Sequence, residues 1–386
     1  MQTQPSDRLA TLAIHAGQAP EESSGAIMTP IFQTSTYVQD GVARPRGGHE
    51  YARVANPTRT ALERNLAALE GGTRAAAFAS GLSAIEAIVK ACLSAGDHLV
   101  CGDNVYGGTE RLFRWFERFG VDFDPVDTAD AATLRDAIRP ETRLVLLETP
   151  TNPLMRLSDI EACAEITREA EVLLAVDNTF ATPYLQRPLE LGADLVVHSS
   201  TKYLGGHSDL IGGMVVAADE ALGDEIARQQ MVTGAVPSPM DCYLLLRSTK
   251  TLHVRMRAHC ENASRIAAWL RERPEPENVV YPGLDDHPQH ELAARQMRDF
   301  GGMVTVDMGS RERAERMSEA TRLFALAESL GGVESLVCVP ARMTHASVPA
   351  ERRAEMGLTD GLVRLSVGIE DVEDLIADLR QALEAV

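Results

Sequence analysis

Residues 193–213 read ADLVVHSSTKYLGGHSDLIGG, and the rest of the chain can be understood from this stretch outward. Residues 195–197 form a short apolar run, the pattern of a buried strand. Ser199, Ser200, Thr201 and Lys202 follow at once, and then a glycine-rich polar loop. A lysine just past a buried strand, beside hydroxyls and flexible glycines, suits the capture of a phosphorylated aldehyde. The amine can form a Schiff base, while hydroxyls and main-chain N–H groups bind the phosphate. A surface lysine after an edge strand is the commoner meaning of such a pattern. The lysine inventory shifts that balance. The chain holds three lysines, Lys90, Lys202 and Lys250, and its other Lys/Arg positions are all arginine. Arginine stays protonated and delocalised, so it cannot stand in for a carbonyl-capturing amine. Lys90 lies on the polar edge of the helical pattern AIEAIVKACLSAG. Lys250 lies inside the helical pattern YLLLRSTKTLHVRMRAH, with no strand or glycine loop beside it. Lys202 is the candidate for chemistry.

From residue 73 onward, strand and helix patterns alternate. Apolar strands read at 75–79, 99–101, 144–147, 172–176 and 195–197, and helices at 82–94, 109–119, 131–138 and 160–169. Such alternation predicts a parallel sheet covered on both faces, with ligands bound at the carboxyl ends of its strands. The residues after each strand therefore matter most. The first strand is followed by Ser80-Gly81-Leu82-Ser83, opening a helix whose free N–H groups suit a phosphate. The second is followed by Asp103-Asn104-Val105-Tyr106-Gly107-Gly108, where Tyr106 is either a turn residue or a stacking partner for a flat ring. The next strands lead into Glu148-Thr149-Pro150-Thr151-Asn152-Pro153 and Asp177-Asn178-Thr179. A carboxylate ending a buried strand is costly unless it has a partner such as a pyridinium N–H; a turn aspartate is the plainer alternative. No GxGxxG or P-loop pattern occurs, which disfavours a dinucleotide-dependent dehydrogenase.

Residues 212–217 read as one more strand and 239–271 as a long helical region. Beyond it lies an α+β unit with strands at 279–281, 303–307, 333–338 and 363–367. It carries a helix running to residue 327 and a final helix at 371–383. Arg364, among the apolar residues of LVRLSVG, is either half of an ion pair or a two-point holder of a carboxylate. Glu328 and Ser329 precede a Leu-Gly-Gly turn that could face a cleft. Residues 1–50 are loop-rich and are expected to pack as an arm on another subunit. Glu50, Tyr51 and Arg53 lie in the loop just before a helix that begins at Asn56-Pro57-Thr58. The expected division is thus an arm (1–50), a large domain (51–250) and a small domain (251–386).

The chain has 386 residues and a formal net charge of −19, which argues against nucleic acid or an anionic membrane as partner. Abundant acid with so little lysine fits a salt-adapted or arginine-biased proteome. Cys92, Cys101, Cys163, Cys242, Cys260 and Cys338 show no CxxC pairing and read as reduced core residues. His287 and His290 form an HxxH in a proline-flanked turn, and no metal is expected. With no signal-peptide pattern and no membrane-length apolar run, the expected place is the cytoplasm.

Ten stretches occur in order: EYARVANPTR (50–59), SGLSA (80–84), DNVYGGT (103–109), ETPTNP (148–153), VDNTF (176–180), HSSTKYLGGHSD (198–209), GAVPSP (234–239), AESLGGVESL (327–336), MTHAS (343–347) and RLSVGIED (364–371). Together they resemble, over nearly the whole chain, the pyridoxal 5′-phosphate (PLP) enzymes of cysteine and methionine metabolism, a family that includes cystathionine γ-lyase and γ-synthase. The resemblance implies a fold type I, aspartate-aminotransferase-like architecture with PLP as cofactor. It implies that Lys202 carries the cofactor and later moves protons, that Asp177 pairs with the pyridine nitrogen, and that Tyr106 stacks on the ring. Gly81, Leu82, Ser199 and Thr201 would bind the phosphate, with Tyr51 and Arg53 reaching in from a neighbouring subunit and Thr179 in the same shell. Many relatives carry methionine where Leu82 stands. Arg364 would hold the α-carboxylate of a small amino-acid substrate, with Asn152 and Ser329 nearby. Glu50, Arg111 and Glu328 match positions that bind the distal amino-acid end of cystathionine. The implied assembly is a homotetramer, a dimer of active-site-sharing dimers. Stretches such as VYGGTERLFR and YPGLDDHPQHELAARQ look closest to γ-lyase members, which split L-cystathionine into cysteine, 2-oxobutyrate and ammonia; γ-synthase or a bifunctional enzyme is the alternative. Gly102-Asp103-Asn104 stands where methionine γ-lyases tend to carry an active-site cysteine. Intact Lys202, Asp177 and Arg364 disfavour a silent scaffold.

Overall fold

The computed structural model describes residue 4, residues 7–346 and residues 348–386. Ser347 of the MTHAS stretch and residues 1–3, 5 and 6 of the arm lie outside the described residues. The arm holds a short helix, α1 (Leu9–His15), and a two-stranded ribbon, β1 (Gln39–Gly41) and β2 (Arg44–Pro45). Leu12, Ala13 and Ala16 bury themselves in a core shared with Leu62 and Leu66 of helix α2 (Pro57–Glu70). Helix α2 starts as its sequence predicts. Asn56 accepts from the N–H groups of Thr58 and Arg59, and Pro57 fills the first turn, where no N–H is needed.

The alternating region folds as β3 (Arg74–Phe78), α3 (Gly81–Cys92), β4 (His98–Gly102), α4 (Gly107–Phe116), β5 (Asp122–Val126), α5 (Ala131–Ala137), β6 (Thr142–Glu148), α6 (Ile160–Glu169), β7 (Leu173–Asp177), α7 (Thr182–Leu185), β8 (Leu195–Ser199) and β9 (Gly213–Ala217). These seven strands form one sheet in the order β3-β9-β8-β7-β6-β4-β5. Its central strands are apolar on both faces because helices cover both. Leu144 and Leu146 of β6 pack with Phe78 and Phe113, whereas Val145 and Leu147 pack with Ile160 and Cys163.

The sheet is mostly parallel, as expected for this fold: β9 alone among its strands runs antiparallel to its neighbours, β3 and β8. The loop after Lys202 returns the chain at the end of the sheet where β8 finished, which fixes that direction. β5 has no counterpart in the sequence reading because its sequence, DFDPV, is polar and contains proline. It is an edge strand paired only with β4, where a missing N–H is tolerated.

Helix α8 (Glu220–Thr233) follows. The single helical run expected over 239–271 is instead two helices, α9 (Pro239–Thr249) and α10 (Leu252–Arg271). Hydroxyls of Ser248, Thr249 and Thr251 donate to the carbonyls of Leu244, Leu246 and Ser248, and the Arg255 guanidinium donates to the Ser248 carbonyl as well. These side chains compete for the helix's own acceptors and break it.

The second sheet is built from β10 (Asn278–Val280), β11 (Met303–Asp307), β12 (Ala325–Leu326), β13 (Leu336–Cys338) and β14 (Leu362–Ser366), in the order β10-β11-β14-β13-β12. Helices α11 (His290–Gln296), α12 (Arg311–Ala320), α13 (Ala350–Met356) and α14 (Val372–Leu383) accompany it. The helix expected to run to residue 327 stops at Ala320. The Asp378 carboxylate accepts the N–H groups of Arg322, Leu323 and Phe324, drawing the chain out of helix and into strand β12. One core serves this sheet alone, around Val304, Val337 and Leu365. Another joins both sheets, with Tyr203 and Leu204 beside Cys260, Met303 and Leu330.

Candidate active site

Strands β3, β4, β6, β7 and β8 all finish at the same edge of the large sheet, and the expected site residues follow them. There a cavity of about 270 Å³ is lined by Gly81, Leu82, Tyr106, Asn152, Asp177, Thr179, Ser199, Thr201, Lys202, Glu328, Ser329 and Arg364. Residues from both sheets thus meet in one place. A wider groove of about 810 Å³ elsewhere is lined by paired charges such as Arg59 with Glu63 and Arg74 with Asp224, and no lysine lines it.

Lys202 sits in the turn after β8, and its Nζ donates to Ser329 Oγ at 2.8 Å. Burial, assisted by the positive charge of Arg364, lowers the Lys202 amine to about 8; Glu328 pulls the other way. The amine is therefore easier to deprotonate than an ordinary lysine. The other two lysines have structural surroundings: Lys90 pairs with Glu86, and Lys250 donates to the Ile14 carbonyl.

Asp177 ends β7. Its Oδ1 accepts from the Thr179 N–H at 3.0 Å and from the Thr179 hydroxyl. Thr179 Oγ1 also accepts the Ser199 N–H at 2.9 Å, linking the ends of two strands. Burial raises the Asp177 carboxyl above its ordinary value, against the pull of the Thr179 bonds. A cationic N–H donor in the cavity would relieve that cost.

Helix α3 opens beside these strands. Ser80 caps it by accepting from the Ser83 N–H. Helix geometry leaves the first N–H groups, those of Gly81 and Leu82, without an intrahelical acceptor. A Cβ on Gly81 would lie 2.9 Å from Ser199 Cβ, so only glycine leaves this turn open. With the hydroxyls of Ser199 and Thr201 alongside, the corner has the donors an anion needs.

Arg364, only 2% exposed, donates from Nη1 to Asn152 Oδ1 at 2.9 Å and from Nη2 to the Ser329 carbonyl at 2.6 Å. Neither partner is a carboxylate, so the guanidinium keeps its charge for the cavity. Ser329 is held at φ 89°, an uncommon backbone for a residue with a side chain, and its two functional atoms face Lys202 and Arg364.

Four expected residues do not line this cavity. Glu50, Tyr51 and Arg53 lie in the arm-side loop, where Arg53 Nη1 donates to the Met231 carbonyl at 2.7 Å. Arg111 is exposed on α4. Glu148 and Thr344 line the cavity without having been singled out from sequence. Glu148 carried a usable signal, since it ends a buried strand just as Asp177 does. Thr344 lies in the MTHAS stretch of the family resemblance, but nothing there gave it a role. No group among the described residues could hold a metal ion, and no described helix is long and apolar enough to cross a membrane.

Comparison with known proteins gives the same picture. The family model of the Cys/Met metabolism PLP-dependent enzymes matches residues 10–384. A cystathionine gamma-lyase of Bacillus subtilis is 51% identical over 377 residues, covering 97% of this chain and 99% of the relative. A cystathionine gamma-synthase of Mycobacterium bovis is 53% identical over 376 residues, covering 97% and 96%. The crystal structure of metB from Corynebacterium glutamicum superposes with a TM-score of 0.96 at 48% identity, covering 99% of each chain. A lysine of lowered basicity shares this cavity with a helix N-terminus and an arginine that has no carboxylate partner, and the chain belongs to the Cys/Met metabolism family of PLP-dependent enzymes, with the fold type I architecture and PLP as its cofactor.

Proposed function

We propose that this enzyme cleaves the Cγ–S bond of L-cystathionine, giving cysteine, 2-oxobutyrate and ammonia. The observation that carries the reading is Glu328. It is an exposed carboxylate on the cavity wall, close enough to Lys202 to act on the basicity of its amine. A carboxylate there suits the distal ammonium group of cystathionine, which an acylated homoserine lacks.

The cavity suits PLP on three counts. Asp177 has an oxygen, Oδ2, outside the Thr179 bonds and available to a pyridine N–H. The α3 corner has unpaired N–H groups beside Ser199 and Thr201. Tyr106 is a half-exposed aromatic on the cavity wall. We assign Lys202 as the residue that holds the cofactor, Asp177 as the partner of its ring nitrogen, and Tyr106 as its stacking wall. Gly81, Leu82, Ser199 and Thr201 take the phosphate, and Thr179 fixes Asp177. When bound, the cofactor supplies an electron sink for charge developing at the substrate Cα. Arg364 and Asn152 hold the α-carboxylate, which aims Cα at Lys202. Lys202 then takes the proton from Cα and moves protons at Cβ, so that the sulfur at Cγ can leave as cysteine. Ser329, bonded to both Lys202 and Arg364, keeps the base and the clamp in register.

Tyr51 and Arg53 lie outside their own chain's cavity, which supports a role for them in the cavity of a second copy, with Glu50 and Arg111 at its mouth. Exposed Ile27, Val38 and Val42 in the arm support the same association. The assembly we propose is a dimer of active-site-sharing dimers. We likewise propose residues 51–250 and 251–386 as large and small domains, because each range holds one sheet.

The similarity to a gamma-synthase favours a second reading, in which cysteine replaces the acyl group of an acylated homoserine. Purified enzyme given L-cystathionine alone separates the two. Rapid formation of cysteine and 2-oxobutyrate supports the lyase. No product, with cystathionine made instead from cysteine and an acylated homoserine, selects the synthase. Pyruvate and homocysteine would reveal cleavage at Cβ and overturn both.

A further inference from the structure

Glu148 is buried, only 6% exposed, and none of the roles above uses it. It ends β6 directly opposite Asp177, which ends β7. A second carboxylate beside a buried aspartate is costly, so its presence needs compensation. Two bonds supply it. Glu148 Oε2 accepts the Tyr106 N–H at 2.7 Å, and Oε1 accepts the Asn152 N–H at 3.1 Å. Tyr106 is the N-cap of α4, and its own side chain makes no capping bond. Glu148 thus supplies that helix terminus with an acceptor from a neighbouring strand. Asn152 in turn receives Arg364 Nη1. Burial and the Asp177 charge push Glu148 up to about 8, while the same two N–H bonds pull it down. Each oxygen accepts one main-chain N–H, so both are used.

We propose that Glu148 is a positioning residue that ties the ring-stacking Tyr106 and the carboxylate-clamping Asn152 to one strand end, and so sets the distance between them. The proposal rests on the cofactor and substrate roles assigned above. The position needs a side chain with two acceptor oxygens. Glutamine has nearly the same shape, but offers one acceptor oxygen and an NH₂ group that would face an N–H donor. E148Q therefore loses one of the two bonds whichever way its amide turns.

The test uses holoenzyme and two readouts that do not depend on turnover: the visible circular dichroism of bound PLP and its dissociation constant. E148Q is expected to change the visible band and to weaken PLP binding about tenfold, the scale of one hydrogen bond. KM for the amino acid should rise by a similar factor, with kcat changing less. In a Y106A background, E148Q should add less than about twofold to PLP release, because it acts through the position of Tyr106. The proposal is overturned by a visible spectrum, PLP affinity and KM all like the parent's, or by full additivity with Y106A. If E148Q does not fold, amide exchange of the unaltered holoenzyme decides: slow exchange at both Tyr106 and Asn152 supports the tie, and fast exchange at either one sinks it. A parent protein that fails to bind PLP would instead sink the cofactor assignment.

Discussion

The chemistry proposed at Lys202 depends on how readily its amine sheds a proton. Its ammonium form is disfavoured by burial and by Arg364, so at neutral pH about a tenth of the amine is free, far more than for an ordinary lysine. Capture of PLP by the apoprotein needs that free amine, so its rate should rise with pH and level off above about 8. E328Q removes the one charge that supports the ammonium form and should move the midpoint to lower pH. Stopped-flow absorbance checks both, and a rate independent of pH between 6 and 10 (about the range that stopped-flow can cover) would refute the assignment. K202A should lower turnover by at least ~10²-fold, while some PLP stays bound through the phosphate corner. Residues of this kind were legible in sequence because each is an exception to its surroundings. Lys202 is rare in type, and Asp177 and Arg364 are charges in apolar runs. Glu148 satisfied the same criterion, but its partners are main-chain N–H groups. A sequence carries no mark of which N–H a side chain will meet, so its importance emerges only in three dimensions.

At the level of elements, the corner formed by β3, α3 and β8 decides whether a phosphate fits. Gly81 faces Ser199 so closely that G81A must shift one of them. We expect G81A to fold, since alanine favours helix, yet to bind PLP at least about tenfold more weakly; equilibrium dialysis measures this. Unchanged affinity would place the phosphate elsewhere. The strands that build this corner were readable because both their faces are buried, which leaves a plain apolar signature. Elements governed by side-chain competition were not. The break between α9 and α10 comes from hydroxyls bonding back to helix carbonyls, and the end of α12 comes from Asp378, a residue of α14 far along the chain. The direction of β9 was equally hidden, because an apolar run reads the same in either direction.

On the scale of the whole molecule, the proposed sharing of sites between copies has a direct check. K202A spoils the site of its own chain, whereas R53A would spoil the site of its neighbour. Mixing the two inactive variants under conditions that exchange subunits should therefore regain activity, because one site in each hybrid pair has both residues intact. No recovery, despite proven exchange, would mean that each site is built from one chain. The sheet carries a further consequence that concerns how the protein comes into being. β3 has a single partner, β9, and Phe78 pairs with Gly213. As the chain leaves the ribosome, β3 therefore waits with both edges unpaired while every other strand of the sheet is made. Lys202 emerges before that wait is over, whereas Arg364 of β14 emerges after it, so the amine stays an ordinary lysine until the second sheet closes on the first. The corner that would choose a phosphate is thus complete before the amine beside it becomes reactive, an order that guards the young chain against stray aldehydes.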